Sequence, residues 1–264
     1  MQVASRPVFW EGPAPGTEIK LAMTDETGLY IKFAYHVDVG VPVSVDWGDG
    51  TKSKIAPWTR DEDRYVDHTY AAKGRYDVVV RGVRSIGLRF LDGHPQYSYD
   101  KAVISVVDTA GQLRSSQSAA FKRASNLERF IAPNCRWQGQ RDFAYCTSLR
   151  EVVIGENSIC YDGTYEFCSA LVRYETKSTH TCWRTVWYGC SSIAELKLGA
   201  VDQFGPDCFK GCTLLQDVWI DNRTMDQVRQ VAPSGNIIGG YGAKYPWGAH
   251  TGMRFHCTDG VLTV

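Results

Sequence analysis

The chain has 264 residues, more than one average domain and fewer than three, so two compact units with cores of their own are expected. Its 44% hydrophobic and 22% charged composition excludes a mostly disordered chain, and 29 basic against 29 acidic residues leave no global field to draw it onto nucleic acid or an anionic membrane. No window approaches 18 uninterrupted apolar residues and Met1 to Pro7 leads into no apolar stretch, so neither membrane insertion nor a cleaved secretory leader is expected.

In chain order, residues 1–16 hold Pro7, Pro13 and Pro15 around Phe9 and Trp10, which reads as an extended arm. Its two aromatics either dock a partner or pack back on their own domain. Residues 17–102 change to short alternating stretches such as Tyr30-Ile31-Lys32-Phe33-Ala34-Tyr35, the pattern of half-buried antiparallel strands. Val43 to Thr51 runs a strand into Trp47-Gly48-Asp49-Gly50, where glycine tolerates the positive φ of a tight hairpin. Asp67-His68-Thr69-Tyr70 and Gly74-Arg75-Tyr76-Asp77-Val78 follow. Together these two segments resemble the PKD domain, marked by a Trp-Gly-Asp-Gly-Thr turn and a His-Thr-Tyr…Gly-x-Tyr-x-Val segment, over roughly residues 17–92. The resemblance implies an immunoglobulin-like antiparallel β-sandwich that serves as a spacer or as a carbohydrate- or protein-contacting module. Asp46 and Asp49 read as turn caps, because a calcium site needs a longer series of oxygen ligands. Asp61-Glu62-Asp63 reads as a solvated loop and His68 as a framework residue.

Residues 93–102 form a polar, Pro-containing connection, so the two halves are expected to unfold separately. Beyond it the sequence repeats every 22 residues. Ala124, Cys146, Cys168, Cys190 and Cys212 share one register, with Phe121, Phe143, Tyr165, Trp187 and Phe209 three residues before and Leu127, Leu149, Leu171, Ile193 and Leu215 three after. Phe130, Val152, Tyr174, Leu196 and Val218 stand six after the anchors, and Ala132, Ile154, Thr176, Leu198 and Ile220 eight after. A coil of this length carries one short strand, stacks about 4.8 Å from its neighbour and cannot bury its apolar face alone, so a solenoid is expected over residues 103–222. The pattern, clearest in Phe204 to Ile220, resembles the BspA-like leucine-rich repeats. The resemblance implies an adhesive or binding protein with no defined catalytic residues. Tyr174, Thr176 and Trp187 replace smaller residues and make the third and fourth coils bulkier.

Nine cysteines without one Cys-x-x-Cys pair argue against a metal site and for buried thiols that stack from coil to coil. Cys160 and Cys182, followed by Phe204, form a second column, and Cys135 falls where such repeats place Asn or Cys. Residues 223–264 read as a cap: Thr224 starts a short helix over Met225 to Val231, and Met253 to Val264 gives strand, Asp-Gly turn and strand. Gly239-Gly240-Tyr241-Gly242 lacks the strand and Lys-Ser/Thr of a phosphate loop, so no nucleotide cofactor is expected.

The expected fold is therefore mostly β, an N-terminal antiparallel sandwich followed by a five-rung solenoid with a C-terminal cap. No nucleophile elbow or zinc-protease motif occurs, which argues against an enzyme. Outward strand positions instead suggest binding. Arg129, Glu151, Arg173, Glu195 and Asp217 largely alternate in charge and stabilise one another, whereas Ile131, Val153, Glu175, Lys197 and Trp219 offer mixed contact chemistry. Trp219 is the foremost contact. The partners expected are a protein or glycan receptor, other virion proteins and further copies of the chain. Without a leader, the expected setting is a phage virion or tail, with a bacterial surface adhesin or an intracellular scaffold as alternatives.

Overall fold

A computed structural model describes residues 15–60, 64–88, 98–229 and 248–264. Phe9, Trp10, the run Asp61-Glu62-Asp63 and the Gly-rich stretch 235–242 lie outside the described residues.

The N-terminal strands are β1 (Thr17–Met23), β2 (Tyr30–His36), β3 (Val43–Asp46), β4 (Lys52–Ile55), β5 (Arg64–Thr69), β6 (Gly74–Arg81) and β7 (Ser85–Gly87). β1, β6, β3 and β4 are antiparallel neighbours in one sheet, and β5, β2 and β7 form another. Alternation decides which side of each strand is buried: in β1, Thr17, Ile19, Leu21 and Met23 are covered while Glu18 and Lys20 face water. Ile19, Leu21 and Met23 share a core with Phe33, Val45, Val66, Val78 and Val80. At the hairpin between β3 and β4 the Tyr70 hydroxyl donates to the Trp47 carbonyl at 3.0 Å, and His68 stacks on Trp47 with ring centres 4.8 Å apart. Asp49 accepts from Thr51 and pairs with His68 at 2.7 Å, and these contacts, the Thr51 hydrogen bond first, hold its carboxyl down at about 2. The turn needs Gly48, which has φ +77° and whose added Cβ would meet the Asp77 carbonyl at 2.6 Å.

The second half begins with a 3-10 turn (Ser98–Ala102) and β8 (Val103–Asp108). The outward strands of the five coils are β9 (Arg129–Ala132), β11 (Glu151–Ile154), β13 (Arg173–Glu175), β15 (Glu195–Gly199) and β17 (Asp217–Ile220). Between them lie β10 (Trp137–Gln138), β12 (Ser158–Cys160), β14 (Thr179–Cys182) and β16 (Gln203–Phe204), which form a parallel sheet of their own. The 22-residue register thus becomes parallel pairing, with Glu151 opposite Arg129 and Arg173, and Lys197 opposite Glu175 and Trp219. β8 is the joint, antiparallel to β1 and parallel to β9, so one 12-stranded sheet crosses from the first half into the second.

Both cysteine columns are buried, and none of the nine cysteines is in a disulfide. The anchors also make a regular contact: Cys146, Cys168, Cys190 and Cys212 donate their thiols at 3.0–3.1 Å to the carbonyls of Phe121, Phe143, Tyr165 and Trp187, one coil back. Rings stack alongside, Phe121 on Phe143 at 5.7 Å, Phe143 on Tyr165 at 5.4 Å and Trp187 on Phe209 at 5.8 Å. Tyr174 lies edge-on between Tyr165 and Trp187, which accounts for the bulk of the third coil. There β13 is only three residues long, because the Thr176 hydroxyl turns to the Gly155 and Ser178 carbonyls.

The end of the solenoid is closed by α1 (Met225–Arg229), β18 (Arg254–Cys257) and β19 (Gly260–Thr263). Thr224 and Gln227 form the reciprocal cap that starts α1, and residues 230 and 231 of the expected helix lie outside the described residues. The terminal hairpin adds to the sheet itself: β18 pairs in parallel with β17 and brings Arg254 opposite Asp217 and His256 opposite Trp219.

Candidate binding face

Because side chains alternate across a strand, the outward positions of the solenoid line up in two rows. The first row is a chain of ion pairs. Arg129 meets Glu151 at 2.6 Å, Glu151 also takes Arg173, and Arg173 reaches Glu175. Lys197 pairs with Glu195 at 3.3 Å within its own strand. At the far end Asp217 accepts two bonds from Arg254, at 2.7 and 2.6 Å, and one from His256 at 2.7 Å. The Arg254 hydrogen bonds, with those of His256 behind them, hold the Asp217 carboxyl down at about 2.

In the second row Ile131 and Val153 are half-buried, Glu175 and Lys197 are exposed, and Trp219 is 38% exposed. Trp219 has a duty that the repeat pattern did not reveal, since the His256 ring lies flat against it, 3.7 Å between centres and 8° from parallel. That imidazole is held in place by Asp217, so the tryptophan offers a partner one prepared face. His256 and Arg254 were missed because they sit in the cap, outside the 22-residue register.

The second row borders a furrow along the ends of the outward strands. One depression of about 680 Å³ is lined by Val153, Glu175, Thr176, Lys177, Arg136 and Trp137, among others. A second of about 420 Å³ is lined by Thr176, Lys177, Lys197, Gly199, Trp219 and Asp221. Thr176 and Lys177 belong to both, so four of the five second-row residues lie on one continuous furrow; Ile131 lies outside it. Glu156 holds Arg136 at 3.5 Å, whereas the Lys177 ammonium has no ion pair among the described residues. Lys177 and Arg136 were not singled out from the sequence. Each stands just past a strand, where the repeat has no fixed residue type. Among the described residues no group of three or more His, Cys, Asp or Glu is placed to hold a metal ion.

The model of the BspA type leucine rich repeat region (6 copies) matches residues 95–182 and 159–231, together more than half of the chain. The chain belongs to this family. Its β-solenoid of about five turns is the fold of the BspA-type region, and the thiol columns described above are its interior. No curated protein matches the chain. Among solved structures, this BspA-type chain is similar to a leucine rich cell surface protein from Faecalibacterium prausnitzii, at 17% identity and a TM-score of 0.30 over 41% of this chain and 36% of that one. It is also similar to a leucine-rich repeat protein from Bacteroides ovatus, at 14% identity and a TM-score of 0.28 over 56% of this chain and 55% of that one. The BspA-type chain thus spans well under two thirds of either protein.

Proposed function

We propose that the protein is a non-catalytic binding module that holds a protein or glycan partner in the furrow beside its outward strands. The observation that carries this reading is the continuity of that furrow from Val153 to Trp219, with Lys177, which has no ion pair among the described residues, where its two depressions meet. Its rim is rigid, because Trp219 is backed by His256 and His256 by Asp217, and a preorganised aromatic loses little freedom when a partner covers it. The N-terminal unit is then a PKD-like, immunoglobulin-like spacer that carries the solenoid; the Trp47, His68, Tyr70 and Asp49 cluster at its hairpin supports that assignment. The setting is a bacterial cell surface, where the solved protein from Faecalibacterium prausnitzii is described as residing. A virion or tail would present the same face to a receptor, and immunogold labelling of producing cells and of purified particles separates the two.

The binding reading is tested by surface plasmon resonance of the immobilised chain against extracts of candidate surfaces, followed by purification of the retained component. Trp219→Ala and Lys177→Ala should each weaken capture by about 1–3 kcal/mol with the melting temperature unchanged. Undiminished capture by the double variant would remove the furrow from consideration.

A further inference from the structure

On the sheet formed by β10, β12, β14 and β16, a second surface carries aromatic rings. Tyr161 and Trp183 occupy equivalent positions in successive coils and stack with centres 6.1 Å apart and planes 7° from parallel. The preceding coil places Gly139 in that column, and a Cβ added there would come within 2.3 Å of the Ser118 backbone nitrogen. No ring can therefore continue the stack, and Tyr161 borders an open groove of about 500 Å³. Tyr161 is 37% exposed, and Trp137, on the same groove, is 56% exposed.

The rest of the lining is polar. Ser118 and Gln140 belong to it and their side chains have no hydrogen bond among the described residues, and no aliphatic side chain and no carboxylate lines it among those residues. Arg84 and Arg114 are also part of the lining, and each meets the Asp38 carboxylate, at 3.8 and 3.3 Å, which lies outside it. The lining thus presents two guanidinium groups and no acid among the described residues. Flat rings suit the C–H faces of a sugar, hydroxyl and amide groups suit its hydroxyls, and the guanidinium groups suit a carboxylate substituent. A peptide would find no aliphatic subsite here.

We propose that this groove binds an acidic oligosaccharide, with a sugar ring against Tyr161 and Trp137 and its carboxylate toward Arg84 and Arg114. The groove meets the strand-end furrow at Arg114 and Trp137, which line both, whereas Tyr161 and Gln140 line only the groove and Lys177 and Trp219 only the furrow.

The test is affinity electrophoresis of the full chain in native gels cast with polygalacturonate, with neutral galactan or with no polysaccharide. Retardation by polygalacturonate alone is expected, weakened at least 10-fold by Tyr161→Ala and several-fold by Gln140→Ala, and retained in Trp219→Ala and Lys177→Ala. Thermal melts establish that each variant is folded. If Tyr161→Ala is not, the exposed Gln140→Ala decides. No retardation, equal retardation by neutral galactan, indifference to the groove variants, or binding of a decaproline peptide in place of the polysaccharide each overturns the proposal. Loss of retardation in the Trp219 and Lys177 variants, with the groove variants unaffected, also overturns it by moving the sugar to the furrow.

Discussion

Asp142 is the one carboxylate set fully inside the solenoid, in the column of small residues otherwise occupied by Ala120, Thr164, Val186 and Cys208. Its Oδ1 accepts from the Ala120 N–H at 3.0 Å, and its Oδ2 is buried without a hydrogen-bond partner among the described residues. Burial outweighs the hydrogen bonds and pushes the group up to about 8. The folded chain therefore keeps a proton that the unfolded chain releases near ~3.9, so stability is greatest below that value and falls as pH rises toward 8. At ~1.4 kcal/mol per pH unit the loss across the window is at most about 6 kcal/mol. Asp142→Asn has the shape of the protonated acid and does not ionise. Urea unfolding followed by tryptophan fluorescence at pH 5, 6, 7, 8 and 9 should show the variant's advantage over the parent growing from ~1.5 kcal/mol at pH 5 to several kcal/mol at pH 8 and above. Other groups also titrate, among them Asp108, which burial raises, so the difference between the two proteins is the quantity to read. Parallel pH curves for the two would refute a protonated Asp142 in the folded state.

The thiol columns should resist modification in the folded protein, because burial pushes Cys208 and Cys212 up to about 12 and raises Cys168 and Cys190 well above their ordinary value; Ellman's reagent should react quickly with Cys257 alone. Cys168→Ser should cost about 1 kcal/mol by urea unfolding, since the Phe143 carbonyl is already in place to accept its hydroxyl. A fragment of residues 1–92 lacks β8 and opens the edge of β1, so it should aggregate or melt well below a fragment of residues 1–113, as differential scanning fluorimetry would show. Asp217→Asn should expose the β18–β19 amides to hydrogen exchange at neutral pH. In the parent those amides should stay protected until the pH falls through the depressed value of about 2, below the ~3.9 of an unfolded aspartate.

The parts of the fold that repeat were legible, because one column of residues meets one environment five times over. The anchors, the ring column and the start of every outward strand follow from the spacing of Cys146, Cys168, Cys190 and Cys212; the shortness of the third strand did not, since Thr176 suggested only a bulkier coil. The joint was not legible. β8 precedes the first anchor, pairs two residues out of the 22-residue register, and acquires a second partner in β1 that only the folded chain reveals. Asp142 was visible in principle as the lone acid in a column of small residues, and a column-by-column reading would have found it.

The outward face was legible in composition and not in consequence, for a physical reason. Interior columns are constrained by packing, so residue type there reports environment; an outward residue reports its environment only through its neighbours, and half of those neighbours lie outside the repeat. Glu175 and Lys197 read as available charges until Arg173 and Glu195 are seen to hold them. Trp219 reads as a bare ring until the terminal hairpin delivers His256 onto it. Pairing takes charge away from the centre of the face and leaves it at the strand ends, where Lys177 has no ion pair among the described residues. An electrostatically steered partner would therefore meet the furrow before the strands, and its association rate should fall with salt more steeply for the parent than for Lys177→Ala.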